Sequence, residues 1–346
     1  MFSILNDVNQ HLYNAANERI IERYLMHCKA VRHNDDKTCA NLHKAIRSYE
    51  VLTDFKNFSD FCPELAAEFL DRLRDLELSK PYLLRLVLDM KHFLRWYALD
   101  TNGKHFNANA VEHLNLMQNE LNKARASGYQ KSHQYKTLFG VINQMPAQTF
   151  IQRRNRALFA LAVLGSFRSG ELRGFRLDSL IFDDYSGAYF IDINPKKISG
   201  VKFCTERQAT LINRSDLLGY VLDWCAELKE KENFSSFDLM FPSETSRFNN
   251  LLMLERKIEK KPMCAASVGK VFKDAFAAAG VEYIKIHNLR HTKARHINEL
   301  GRADLMVAAK QDFGHKSLST TYNSYVGDMP HEKQRRLIAG IDFDSI

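Results

Sequence analysis

Apolar side chains recur at intervals of three or four residues through most of the first 125 positions, which is the period of helices that bury one face. Residues 63–78 show this pattern most clearly, and Pro63 stands where proline favours the first turn of a helix. The apolar stripe of this segment consists of Leu65, Phe69, Leu73 and Leu76. Residues 80–100 predict a second helix. Its expected core face includes Leu84, Val87, Leu88 and Leu94.

The pattern changes in the second half of the chain. Residues 153–167 predict a helix, whereas residues 187–197 alternate apolar Ile191 and Ile193 with polar side chains, as a half-exposed strand does. Residues 207–212 predict a partner strand, with a loop over 195–206 between the two. From Ser215 onward the chain is expected to return to helices, at 215–232, 264–279, 288–300, 303–312 and 316–327.

These elements predict a mainly α fold with a small antiparallel β-sheet, divided into two domains. We place a helical domain at 1–125, a basic linker at 126–136, a mixed α/β domain at 137–330 and a tail at 331–346. The linker either contacts a phosphate backbone or is a solvated connection. The tail contains an amphipathic piece with Leu337 and Ile338.

Composition narrows the class of partner. The 346 residues are 45% hydrophobic and 26% charged, which is ordinary for a globular protein. The net charge of +8 suits a polyanion, DNA or RNA first. The N-terminus lacks the features of a signal peptide, and no apolar run is long enough to cross a bilayer. Without any CxxC pair, the cysteines are expected to be reduced thiols in a cytosolic protein; they are Cys28, Cys39, Cys62, Cys204, Cys225 and Cys264.

Two segments carry arginines that could take part in chemistry. Arg168 follows a turn and opens a helix, with Glu171 three positions later on the same face, where the two could equally form a surface ion pair. His287 and Arg290 share one face of a later helix, although residues 92–95 show the same spacing. His291 stands four residues after His287, a spacing used by metal ligands, but the intervening arginine would repel a cation.

Two further segments complete the set of candidates. His315 follows Gly314, and Tyr322 and Tyr325 stand seven and ten residues after that histidine. The loop between the two predicted strands is basic; its lysines are Lys196, Lys197 and Lys202. In order, the second half of the chain therefore supplies Arg, Lys, His-x-x-Arg, His and Tyr.

This series resembles the catalytic domain of the tyrosine recombinases, the phage integrase family, over roughly residues 130 to 330. "LGSFRSGELRGFRLDSL" resembles the first arginine motif, with Arg168 as its arginine and Glu171 as the supporting acid. "HNLRHTKA" resembles the second motif and gives His287 and Arg290, and "DFGHKSLSTTYNSY" resembles the third and gives His315 and the tyrosine. The helical N-terminal domain resembles the DNA core-binding domain of this family in outline only.

Two positions depart from the commonest family pattern. Many relatives have the tyrosine nine residues after the histidine, where this chain has Ser324. "TTYNSY" is similar to a subgroup that favours Tyr325, with Tyr322 as the alternative nucleophile. The family lysine lies about five residues before a basic residue that opens the next strand. Lys202, five residues before Arg207, fits best, and Lys197 is the alternative.

The resemblance implies a site-specific recombinase that cuts and rejoins DNA through a 3'-phosphotyrosyl link, without metal, ATP or another cofactor. Two guanidiniums suit this chemistry because their fork geometry matches the non-bridging oxygens of a phosphodiester. The implied partners are double-stranded DNA sites, a tetramer of this chain on DNA and an accessory DNA-bending protein, with no membrane. The implied setting is integration or excision of a mobile element in the bacterial cytoplasm, at the nucleoid.

Two other functions remain compatible with the residues. One is a metal-dependent nuclease that uses His287 and His291. The other is a DNA-binding regulator that keeps the fold without catalysis. The tail, in turn, either contacts a neighbouring protomer, as the resemblance implies, or docks on its own domain.

Overall fold

The computed structural model describes Ile4 and residues 12–125, 130–201, 206–248, 254–315 and 317–321. The chain divides into two compact units, Met1–Ala126 and Ser127–Ile346. Helices predominate, and small antiparallel sheets occur in the second unit. The predicted fold class, mainly α with a small antiparallel sheet, is therefore confirmed.

The first unit is helical through its described residues. Asn14 and Asp35 cap its first two helices, because their side-chain oxygens accept hydrogen bonds from the first backbone N–H groups. Pro63 begins the third helix, as the sequence predicts. The helices are α1 (Ala15–Ala30), α2 (Asp36–Leu52), α3 (Pro63–Asp75), α4 (Lys80–Asp100) and α5 (Gln118–Arg125), with 3₁₀ turns at Phe58–Asp60 and Ala108–His113.

The core face of α4 differs from the predicted one. Leu88 is 42% exposed and Leu84 only partly buried, whereas Val87 and Leu94 lie in the core. At about 100° per residue, Leu84 and Leu88 lie more than 90° around the helix from Met90, which is near the middle of the buried stripe. The residues of α4 that form the core are Leu83, Leu86, Val87, Met90, Phe93, Leu94, Tyr97 and Ala98. On α3 the prediction holds, apart from Leu76, which lies past the end of the helix.

The second unit is built around one buried helix. Thr149 and Gln152 form a capping box that begins this helix, and every residue from 157 to 167 is buried. The helices of this unit are α6 (Tyr135–Asn143), α7 (Phe150–Gly165), α8 (Ser169–Gly174), α9 (Ser215–Glu230), α10 (Ala265–Ala278), α11 (Asn288–Glu299), α12 (Ala303–Phe313) and α13 (Leu318–Thr321), and α7 is the central one.

An antiparallel sheet of order β1-β2-β3 follows the short helix α8. Its strands are β1 (Leu180–Asp183), β2 (Ala188–Ile193) and β3 (Arg207–Thr210). Ile191 of β2 stands opposite Leu180 and Ala209, and its side chain is fully buried against the core. β2 and β3 lie where the sequence predicts them, whereas β1 had not been predicted.

A second antiparallel pair, β4 (Pro242–Phe248) and β5 (Leu254–Pro262), follows α9. The prediction that the chain returns to helices from Ser215 onward is wrong over these residues. The sequence of β5, LERKIEKKP, gives few apolar positions, so alternation between apolar and polar residues does not reveal the strand. The other helices predicted after Ser215 are present, within two residues of their predicted bounds where described.

Part of the predicted linker is attached to α11. Asn288 donates to the carbonyl oxygen of Lys131 over 2.7 Å, and the Thr292 hydroxyl donates to the carbonyl oxygen of His133 over 3.0 Å. Residues 131–133 are thus fixed on the second unit by the helix that carries Arg290.

Two simpler predictions concern cysteines and membranes. Free thiols are found at Cys28, Cys39, Cys62, Cys225 and Cys264, and Cys204 lies outside the described residues. No helix in the described part of the chain has both the length and the apolar character needed to span a bilayer.

Candidate active site

The chain reverses direction sharply between α7 and α8. Ser166 ends α7 with φ 55° and ψ 48°, a left-handed conformation that costs a residue with a Cβ about 1–2 kcal/mol. Two bonds to α11 accompany it: the Ser166 hydroxyl donates to the carbonyl of Leu289 over 3.2 Å, and the Ser166 carbonyl accepts from Nε of Arg290 over 3.0 Å. This turn brings Arg168 beside α11.

Arg168 and Glu171 are paired at the start of α8. The backbone N–H of Arg168 donates to Oε2 of Glu171 over 3.0 Å, and its Nη1 donates to Oε1 over 2.9 Å. Glu171 is fully buried. Because its carboxylate is buried and the Arg168 side chain is 19% exposed, the pair differs from the solvated surface ion pair of the alternative interpretation.

Arg290 reaches the same place from α11. Its side chain is fully buried, its Nη1 donates to the carbonyl oxygen of Phe313 over 3.2 Å, and its Nη2 lies 3.9 Å from Oε2 of Glu171. Arg168 donates to the same Phe313 carbonyl over 3.3 Å. The two predicted arginines thus share one carboxylate and one carbonyl oxygen.

The shared carboxylate is ionised in the folded protein. Burial raises the pKa of Glu171, but the guanidiniums of Arg207 and Arg290 and the backbone N–H of Arg168 outweigh it and hold that pKa below its usual value. Its single negative charge therefore offsets part of the positive charge of the surrounding guanidiniums.

His315 lies directly after the end of α12. Gly314 ends that helix in the left-handed region at φ 67°, and the N–H of His315 donates to the carbonyl of Lys310 over 3.0 Å. Nδ1 of His315 is 2.9 Å from the hydroxyl of Thr321, which is fully buried. Burial, followed by the charges of Arg290 and the other cations nearby, lowers the pKa of His315 to about 4, so its ring is neutral at pH 7.

His287 lies at the start of α11 and is exposed. Its ring meets the ring of buried His291 edge-on, with centroids 5.8 Å apart. Its charge contributes to the lowered pKa of His315. Within the described ranges, no group of three or more His, Cys, Asp or Glu side chains is arranged to hold a metal ion.

The first half of the β2–β3 loop lies directly on α8. A Cβ on Gly174 would come within 2.3 Å of the Ser199 carbonyl oxygen, and one on Gly200, at φ 81°, within 2.7 Å of the Gly170 carbonyl oxygen. Lys197 is half-exposed, with Nζ 3.8 Å from Asp192. The loop is therefore held against the helix that follows Arg168.

A side chain at position 174 should disturb that contact. Gly174→Ala is expected to lower the free energy of unfolding by about 1–3 kcal/mol, because backbone atoms must move to admit the methyl group. Gly219→Ala on α9 is the matched control: nothing lies within 4 Å of its Cβ, so a gain of about 0.5–1 kcal/mol is expected there. Denaturant titrations of both variants measure the difference, and equal stabilities would contradict the close contact.

Several predicted positions lie outside the described residues. They are Lys202, Tyr322, Tyr325 and the tail at 331–346. The structure brings together Arg168, Glu171, Arg290 and His315, with His287 at the edge of the group.

Three contributors to the site were not predicted as such. Arg207, which had served only to mark the start of a strand, pairs with Glu171 over 2.8 Å. Thr321 contacts His315. In the sequence, only the position of Thr321 within the third motif pointed to it. The Phe313 carbonyl is a backbone group, which no residue pattern reveals.

The order of these residues along the chain and their convergence in the structure agree with a comparison of the sequence with protein-family profiles. The profile of the phage integrase family matches residues 130–331, more than half of the chain. The chain belongs to the phage integrase family. Its enzyme class is that of the tyrosine-type site-specific DNA recombinases. No curated protein sequence matches this family member.

Solved structures with the same fold are distant in sequence. The Tn1549 transposon integrase in complex with transposon right end DNA is 12% identical, with a TM-score of 0.62 over 93% of this chain and 98% of that one. A lambda integrase dimer bound to a COC' core site is 15% identical, with a TM-score of 0.61 over 90% and 97%. A lambda integrase tetramer bound to a Holliday junction is 16% identical, with a TM-score of 0.57 over 90% and 80%. At these low identities, the three structures show that this phage integrase family member has the same fold as they do.

Proposed function

We propose that this protein cleaves and rejoins DNA through a 3'-phosphotyrosyl intermediate, with Tyr325 as the nucleophile. The observation that carries the proposal is the convergence of Arg168 and Arg290 on the Glu171 carboxylate and the Phe313 carbonyl. Two arginines more than 100 residues apart in sequence thereby share the same two partners.

The two guanidiniums supply what phosphoryl transfer requires of a protein. Negative charge is spread over the non-bridging oxygens in the transition state, and fixed donors aimed at that charge are usually the largest catalytic contribution. Arg168 and Arg290 would hold the scissile phosphate as a pair of forks. With two such cations in place, the mechanism needs neither a metal ion nor ATP.

The covalent step follows from the phenol. The Tyr325 oxygen attacks phosphorus, a P–O bond to the phenol forms, and the bond to the 5'-oxygen breaks. Lys202 on the β2–β3 loop would give the departing 5'-oxygen its proton, with Lys197 as the alternative donor. A 5'-hydroxyl from the partner duplex then attacks the phosphotyrosine, which reseals the strand and frees the tyrosine.

The histidines would act beside the phosphate. His315 is neutral at pH 7 because its pKa is lowered to about 4, so it can accept the phenolic proton as the nucleophile attacks. Thr321 fixes its Nδ1 side. His287, exposed at the edge of the site, would hydrogen-bond a phosphate oxygen.

The partner would be double-stranded DNA carrying a recombination site. The net charge of +8 favours DNA, and the solved structures with this fold include DNA complexes, one of them a tetramer on a Holliday junction. By this analogy the first unit binds core DNA, four protomers assemble on two duplexes, and the tail reaches a neighbouring protomer. Integration or excision of a mobile element, assisted by a DNA-bending protein, is the role we favour.

A trapping experiment with nicked duplexes tests the reaction class. The protein is incubated with EDTA and a library of duplexes that carry a nick within a randomised segment, and protein-linked strands are recovered under denaturing conditions and sequenced. We expect a covalent adduct that survives chelation and retains the DNA on the 5' side of the cleavage point. The recovered sequences would also define the crossover site.

Other results would point to the alternative functions. Cleavage that leaves no protein-linked strand, that stops in EDTA and that returns when divalent cations are added would contradict the proposal. It would point instead to a metal-dependent nuclease that uses His287 and His291. Binding of DNA with neither cleavage nor adduct across the library would favour a non-catalytic regulator.

A further inference from the structure

Arg207, the first residue of β3, is a third buried guanidinium in the candidate active site. Its side chain is 6% exposed. Its Nη2 lies 2.8 Å from Oε1 of Glu171, the oxygen that also accepts from Arg168. One carboxylate is therefore shared by three guanidiniums, those of Arg168, Arg207 and Arg290.

Arg207 also holds the end of α12. Its Nε donates to the carbonyl oxygen of Asp312 over 2.9 Å, and its Cδ would lie 3.0 Å from a Cβ on Gly314. The next carbonyl, that of Phe313, is the one that Arg168 and Arg290 share. The last carbonyls of a helix lack partners within the helix and carry partial negative charge, which suits cationic donors.

A separate ion pair fixes Asp312 from the other side. Its carboxylate accepts from Nζ of Lys293 on α11 over 2.6 Å and from the backbone N–H of Thr210 on β3 over 3.1 Å. Strand β3 and helices α11 and α12 therefore meet at this residue, directly before the turn that presents His315.

We infer that Arg207 is a positioning residue for DNA cleavage: it holds Glu171 and the Asp312 carbonyl, and through them the two phosphate-binding arginines and His315. The inference rests on the proposed function. Arg207 is assigned this role because its Nε donates to the Asp312 carbonyl oxygen and its Nη2 lies beside the Glu171 carboxylate. It also joins the site to the β2–β3 loop, because Lys202 precedes it by five residues in the same connection.

Single-turnover cleavage separates this role from a purely structural one. Arg207→Gln, Arg207→Lys and a control, Arg214→Gln, are compared for DNA affinity, cleavage rate and melting temperature, using a nicked duplex recovered from the library. Arg214 is half-exposed and pairs with Asp216 at the start of α9. We expect Arg207→Gln to slow cleavage at least about 10-fold while affinity changes less than about 3-fold. Arg207→Lys should restore part of the rate, because an ammonium keeps the charge but not the fork.

The pH profile is the readout that a structural role would not move. The groups that face His315 are Arg290, Arg168, Arg207, His287 and the Thr321 hydroxyl. Loss of the Arg207 charge should raise the pKa of His315, so the acid limb of the cleavage profile should move to higher pH. Arg207→Lys and Arg214→Gln should leave that limb near the wild-type position.

Each other outcome decides against a claim. Wild-type rate and profile in Arg207→Gln, or a loss explained wholly by weaker DNA binding, would overturn the positioning role. If Arg207→Gln does not fold, Arg207→Lys takes its place, and a full wild-type rate in that variant overturns the role. Wild-type protein that forms no adduct would overturn the proposed function, and the positioning role with it.

Discussion

Replacement of Tyr325 by phenylalanine is expected to abolish the covalent adduct with nicked DNA, while Tyr322→Phe retains it. A tyrosine phenol, with a pKa of about 10, is both an adequate nucleophile and a good leaving group for resealing. Phenylalanine keeps the ring and removes only the attacking oxygen. DNA binding should therefore be unchanged in both variants, as measured by gel shift, and only the adduct on a denaturing gel should disappear.

Tyr322 is the matched control because it lies on the same short segment. The helix predicted from the sequence over 316–327 would set the two phenols about 60° apart around its axis and about 4.5 Å apart along it. An adduct lost in Tyr322→Phe and retained in Tyr325→Phe would move the nucleophile to Tyr322. An adduct that persists when both tyrosines are replaced by phenylalanine would remove them from the mechanism.

Glu171→Gln is expected to lower the free energy of unfolding by about 3–5 kcal/mol. The carboxylate is fully buried, pairs with Arg168 and Arg207, and lies near Arg290. A neutral amide of the same size would leave those three cations without a counter-charge. Denaturant unfolding followed by Trp224 fluorescence, in protein whose other tryptophan is replaced by Trp96→Phe, measures the change in the second unit.

The same variant should change how stability depends on pH. The folded pKa of Glu171 lies below its unfolded value of about 4.3, so its contribution is fully present above that value and is lost as the pH falls through the folded pKa. Wild-type protein should therefore lose stability on acidification in that window more steeply than Glu171→Gln. Glu232→Gln, on the exposed surface after α9, is the control and should match the wild type in both stability and slope. A Glu171→Gln variant as stable as the wild type would show that the carboxylate does not stabilise the three arginines.

The sequence predicts most of the helices because their apolar spacing reflects burial on one side. α4, α9, α10, α11 and α12 fall within two residues of their predicted bounds. The same logic fails at β4 and β5, which have few apolar residues, so no alternation of apolar and polar side chains marks them. Apolar spacing also predicts the buried face of α4 only in part. This helix has leucines on more than one side, and packing against the other helices decides which of them are buried.

The candidate site shows the same division. Residue types and order point to Arg168, Glu171, Arg290 and His315, which the structure brings together. What the sequence cannot give is the backbone that joins them: the left-handed turn at Ser166 and the Phe313 carbonyl are set by chain geometry. The role of Arg207 is hidden for a related reason, because a basic residue at the start of a strand is usually solvated.

The interior position of Arg290, Glu171 and Arg207 also bears on how far this enzyme can be made more robust. A set of interior charges replaced as a whole by well-fitting apolar side chains of similar volume is often neutral or stabilising, whereas loss of one member is harmful. Under the proposed function, the cluster would be explained by its use in the reaction rather than by a benefit to folding. Thermostability gained by replacing it would come at the expense of turnover, so engineering for heat resistance is better directed at surfaces remote from α8, α11 and the end of α12.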